Sequence, residues 1–161
     1  MFRRSSVLLL LLPVVVLLVG CGSSDSKAGS GRLAVEQATV DRPVSQAQAA
    51  LRFVIDNGTG TDDTLESVTT DVAGSSTIHE SALSGGMATM KARDSVAVPA
   101  GSKVTFAPGG LHVMLEDLRR PLEVGDTFDV TLHFARAGSV TVTAKVVSPG
   151  AMTDDQEHDH G

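Results

Sequence analysis

Tyrosine and tryptophan do not occur in this chain of 161 residues, and phenylalanine occurs only five times. Bases and sugar rings are gripped on flat aromatic faces, so neither a base-stacking platform nor an aromatic-lined carbohydrate site can be assembled. Basic charge is also scarce. Thirteen Lys and Arg stand against 19 Asp and Glu, for a formal net charge of -6, and the cations are scattered along the chain. Without a basic face to displace counterions from phosphates, nucleic acid is excluded as a partner. A single cysteine, Cys21, leaves no disulfide within the chain. Asp62 and Asp63 in TGTDDT read as turn residues, and no base or nucleophile is set beside them. The expectation is therefore a binding protein and not an enzyme.

What is present begins with an address. Arg3 and Arg4 precede the apolar run VLLLLLPVVVLLV, which reads as a secretion signal over residues 1–20. LVGC, Leu18 to Cys21, resembles the lipobox of bacterial lipoproteins, where cleavage leaves the cysteine as the lipidated first residue. Residues 21–31, rich in Gly and Ser, then form a tether between the lipidated Cys21 and a domain over 32–148. Residues 149–161 carry acids, His158 and His160 but no apolar periodicity, so they are expected to be a disordered tail. The expected location is extracytoplasmic, lipid-anchored to the bacterial cell membrane.

Between these ends the apolar period is two. In TFDVTLHF, Phe128, Val130, Leu132 and Phe134 share one face, and His133 falls on the solvent face. SVTVTAKV repeats the pattern with Val140, Val142, Ala144 and Val146, and ALRFVID and KVTF read the same way. NGTG at 57–60, PAG at 99–101 and PGG at 108–110 punctuate the strands, and no helical stripe is visible. Short strands at this spacing predict an all-β fold, an antiparallel β-sandwich.

Histidine and methionine gather in the middle of the chain. His79, Met87, Met90, His112 and Met114 fall within 36 residues, in a chain with five of each type. In PGGLHVML, His112 and Met114 are two apart on a predicted strand, so both project to one side beyond a small turn. Thioethers are soft donors that prefer Cu(I), and imidazole tolerates it, whereas hard ions want carboxylates. Outside the cytoplasm thiols oxidise to disulfides, while Met needs no deprotonation and cannot form one.

Ten residues separate His79 from Met90, twenty-one separate Met90 from His112, and one separates His112 from Met114. This spacing resembles the signature of the periplasmic copper(I) chaperone family PCu(A)C. IHES, GGMATMKARDSVAVPAG, KVTFAPGGLHVMLEDLRRPLEVGDTFDVTLHF and ARAGSVTV carry the likeness over roughly residues 45–146. The resemblance implies a cupredoxin-like β-sandwich and a Cu(I) site made by His79, Met90, His112 and Met114. It also implies delivery of copper towards the copper centres of cytochrome c oxidase, through an oxidase subunit or another copper chaperone. Glu80 and Ser81 follow His79 where family members often have a further methionine. Met87 is then the spare thioether, either a core or loop residue or an auxiliary ligand, and His158 and His160 are candidates for a helper site. Family members are commonly soluble, so an anchor at Cys21 is a second departure.

Two other readings stay open at this point. Copper scavenging or resistance needs the same four ligands. A structural β-sandwich lipoprotein explains the strands and the anchor but leaves the His and Met spacing to chance.

Overall fold

Ten strands account for most of residues 30–149, the part of the chain that the computed structural model describes. Cys21, the apolar run before it, His158 and His160 lie outside the described residues. In chain order the strands are β1 (Ser30–Asp41), β2 (Gln48–Thr59), β3 (Asp63–Thr70), β4 (Ala73–Ser84) and β5 (Met87–Arg93). They continue with β6 (Val96–Val98), β7 (Lys103–Phe106), β8 (Leu111–Leu118), β9 (Thr127–Phe134) and β10 (Gly138–Val147). β1 opens inside the segment expected to be tether.

The strands hydrogen-bond in the order β5-β4-β8-β7-β2-β1-β10-β9-β3-β6, with a further β8–β2 pairing. Both ends of that order feed one core. Leu51, Phe53 and Ile55 of β2 and Val113 and Leu115 of β8 cluster with Leu65 and Val68 of β3 and Val130, Leu132 and Phe134 of β9. The sheet therefore folds over on itself and closes its apolar face inside two layers. Phe53 and Phe106 stack at its centre with ring centroids 4.3 Å apart. Each fully buried Leu, Ile, Val or Phe contributes about 1.5–3 kcal/mol by leaving water.

The sandwich is mixed rather than wholly antiparallel. A bulge near Gln37, whose φ is 55°, bends β1 after its long pairing with β2. Its last residues, Thr39 to Asp41, then run parallel to β10, and Phe106 of β7 pairs in parallel with Leu111 of β8. NGTG is also not the turn expected of it, because β2 continues to Thr59. Asn57 is buried instead, and its amide donates to the carbonyls of Thr61 and Val98, at 2.9 Å each. A buried amide with both partners ties the β2–β3 turn to β6.

Asp63 does more than fill a turn. Its carboxylate accepts backbone N–H groups of Thr64 at 2.7 Å, Arg136 at 2.9 Å and Ala137 at 2.8 Å, fastening β3 to the β9–β10 turn. Burial by itself would raise its pKa, but the three backbone donors, helped by the Arg136 charge, outweigh it and hold the carboxyl below its ordinary value.

Alternation also decides what faces out. Val113 and Leu115 of β8 and Ile78 of β4 point into the core. His112, Met114 and His79 therefore project from the outer face, next to the edge strand β5, all of whose residues are exposed.

Candidate metal centre

The turn before β8 shapes the first half of the site. Ala107 N–H donates to Leu111 O at 2.7 Å and Gly110 N–H to Ala107 O at 3.2 Å. Gly109 takes a φ of 78°, which glycine adopts without the strain a side chain would bring. Folded over the strand, this turn leaves His112 only 8% exposed. The Gly110 carbonyl accepts the Ser81 N–H at 3.0 Å and lies 3.0 Å from His112 Nδ1. A carbonyl can only accept, so Nδ1 carries a proton there and the lone pair of the neutral ring sits on Nε2. An imidazole oriented in this way has one nitrogen ready for a metal.

β4 supplies the second imidazole. His79 is the register partner of His112, and the two rings meet edge to face with centroids 5.8 Å apart and planes at 85°. His79 Nδ1 is buried and has no hydrogen-bond partner. An unmatched buried nitrogen is costly unless something binds it. Beside a second imidazole with a free lone pair, it makes a donor set that fits a soft ion.

The thioethers flank this pair. Met114 follows His112 on the same face, half-buried between its register neighbours Thr77 and Ala50. Met90 of β5 is opposite Ser81, which shares the outer face of β4 with His79. It is 57% exposed and stands at the rim. The four residues thus sit on one face of three adjacent strands, β5, β4 and β8. Met87 is not brought to them: three residues from Met90, it falls on the other face of β5 and is 71% exposed. His133 lies away on β9, where Thr69 Oγ1 at 2.9 Å and Ser139 Oγ at 3.0 Å engage its two nitrogens.

A cleft of about 260 Å³ extends from His112 and Met114 along the outer face, bordered also by Asp41, Ala50, Arg52 and Pro108. Arg52 and Asp41 form an ion pair there. Sequence reasoning passed over this pair, because a charged residue on the outer face of ALRFVID looks merely solvated. Among the described residues no three His, Cys, Asp or Glu side chains converge. The donors gathered by the fold are neutral nitrogen and sulfur, a set matched to a soft monovalent ion.

Known proteins carry the same architecture. The copper-bound PCuAC domain from PmoF2 superposes with a TM-score of 0.63 at 30% identity, covering 74% of this chain and 95% of that domain. The solution structure of CuI-DR1885 from Deinococcus radiodurans gives 0.61 at 32% identity, over 78% of this chain and 86% of that one. The all-β fold is thus the cupredoxin-like fold of PCuAC domains. In sequence, "Putative lipoprotein Lxx21020" of Leifsonia xyli subsp. xyli is 34% identical over 143 residues, 88% of this chain and 85% of that protein. Residues 33–146, from β1 into β10, match the family described as "Putative lipoprotein LpqE-like". With the match spanning the whole sandwich, the chain belongs to the LpqE-like family.

Proposed function

We propose that this protein is an extracytoplasmic Cu(I) carrier that binds copper through His79, Met90, His112 and Met114. The observation that carries this reading is the facing of His79 and His112 in register, one with a free Nε2 lone pair and the other with an unmatched buried nitrogen. Methionines on the same face complete a neutral set, which holds Cu(I) without releasing a proton from sulfur. The likeness to copper-bound and Cu(I)-bound PCuAC structures supports the same metal.

The arrangement also suits release. Met90 stands at the exposed rim of the edge strand β5, while His112 is shielded by the 108–110 turn. An acceptor's own ligand would displace Met90 first and His112 last, so copper passes by stepwise exchange and is never free in water. Nothing in this sequence of events changes a covalent bond, and the protein acts as a carrier and not as an enzyme.

Residues 1–20 act as signal and Cys21 as lipid anchor. Residues 21–31 tether the copper-binding domain (32–148), and 149–161 trail behind it. The family match and the lipoprotein relative support an anchor at the bacterial membrane. There the carrier serves a copper-accepting protein, a cytochrome c oxidase subunit or another copper chaperone.

The test is a Cu(I) competition titration against a chromophoric chelator under reductant. One high-affinity Cu(I) per chain is expected, weakened at least tenfold in His112→Ala. Wild-type affinity in His112→Ala overturns the site. Oxidase activity in a strain lacking the protein tests delivery: a defect rescued by added copper is expected, and unimpaired oxidase with copper-sensitive growth would point to scavenging instead.

A further inference from the structure

The outer face of β2 sets a guanidinium next to His112. Register pairs Ala50 with Met114 and Leu51 with Val113, so Arg52 comes next on the Ala50 face, on the His112 side. Its side chain is only 17% exposed, its Nη2 is paired with Asp41 Oδ1, and its Nε is buried with no partner. Arg52 and Asp41 border the same cleft as His112 and Met114.

Stability does not account for this pair. Removing two charges from water consumes most of their mutual attraction, and a buried N–H without an acceptor adds a further cost. Apolar side chains of similar size often hold a sheet as well as an ion pair that is largely removed from water. The chemistry of the cleft offers a reason instead. Among the described residues bordering it, Asp41 is the one carboxylate. A free carboxylate in the cleft that His112 borders would add a hard anionic donor to a neutral site, and imidazole with carboxylate is a set that holds Zn(II).

We infer that Arg52 is a selectivity residue: by holding Asp41 in an ion pair, it withholds the cleft's carboxylate from divalent ions and keeps the site a Cu(I) site. The inference rests on the Cu(I) reading given above. The guanidinium suits the task because its planar fork of donors grips a carboxylate in fixed geometry.

Zn(II) is the probe. The full chain and its Arg52→Met, Arg52→Gln and Arg52→Met/Asp41→Asn variants are titrated with Zn(II) against a chelator, and separately with Cu(I) under reductant. Far-UV circular dichroism checks the fold of each. Zn(II) affinity is expected to rise about tenfold or more in both single variants and to return to the wild-type value in the double variant. Cu(I) affinity is expected to change less than about threefold throughout. His158 and His160 are present in all four proteins, so a contribution from them to Zn(II) uptake cancels in the comparison. No Zn(II) gain in folded single variants, or a gain that persists without the Asp41 carboxylate, overturns the role of Arg52. A wild type that takes up no Cu(I) overturns the site reading itself, a separate result.

Discussion

His79 and His112 are register partners on β4 and β8, and their rings stand edge to face with centroids 5.8 Å apart. Two imidazoles directly opposite each other on an outer sheet face would ordinarily turn to water. Here the 108–110 turn covers one, and the other keeps a buried nitrogen without a partner. Their neighbours on the same face, Met114 and Met90, differ in depth, and that difference makes the roles of the methionines measurable.

Met114→Ala separates a ligand from packing. A fully buried Met truncated to Ala costs about 2–5 kcal/mol, but Met114 is half-buried on the outer face, so the apo variant should lose about 1 kcal/mol or less. Cu(I) affinity should fall at least tenfold. Thermal melts of the apo forms beside a chelator competition measure both. Unchanged affinity with a large loss of apo stability would make Met114 a packing residue.

The β4–β5 register makes a sharper comparison between two exposed methionines. Met90 shares a face with Ser81 and hence with His79, while Met87 lies on the reverse. Met90→Ala should weaken Cu(I) binding and speed its transfer to an acceptor chelator. Met87→Ala should leave both within about twofold. Equal effects from the two would mean that the hairpin bends Met87 back to the metal.

Much of this was legible in the chain. Alternation in TFDVTLHF and SVTVTAKV predicts the inward sets that β9 and β10 bury, and the step of two from His112 to Met114 predicts their common face. The β4–β5 hairpin was not legible: MATMKAR has no buried face, so no apolar alternation marks it. The facing of His79 and His112, 33 positions apart, depends on a β4–β8 register fixed only when Ile78 and Val113 pack in the core. Arg52 and Asp41 were not legible for the same reason: they are 11 positions apart, the pairing of β1 with β2 brings them together, and neither belongs to a motif. Parallel pairing at Thr39 to Asp41 rests on a bulge at Gln37, a residue with no sequence preference for one.

The anchor has its own test. Cys21→Ala should release the protein from membranes while leaving Cu(I) affinity unchanged, since residues 22–29 separate Cys21 from the first strand and the proposed ligands lie on β4, β5 and β8. Fractionation with a salt wash measures the release, because salt strips electrostatic attachment and not an acyl chain. Retention of the variant in the washed membrane fraction would overturn the lipoprotein reading.

Asp63 predicts how the fold responds to acid. Its carboxyl is held below its ordinary value of 3.8 in the folded chain, through the donors Thr64, Ala137 and Arg136 acting against the opposing effect of burial. A group whose folded pKa is depressed contributes its full stability above the unfolded value and loses it as pH falls through the folded value. Stability should therefore hold near neutrality and decline as pH drops below about 4, where the unfolded carboxyl begins to take up protons before the folded one does. Asp63→Asn keeps one acceptor oxygen but loses the charge and the second oxygen that Ala137 uses. It should cost about 1–3 kcal/mol at neutral pH, since a partly buried N–H is left without its acceptor. Its acid limb should be shallower than that of the wild type, because the carboxyl responsible for that share of the slope is gone. Urea denaturation of the apo protein at a series of pH values measures both quantities. Met90 and the imidazoles lie on other strands, so Cu(I) affinity at neutral pH should not move. A variant as stable as the wild type at pH 7, with an identical acid limb, would show that the three backbone donors are satisfied by water and that Asp63 does not fasten β3 to the β9–β10 turn.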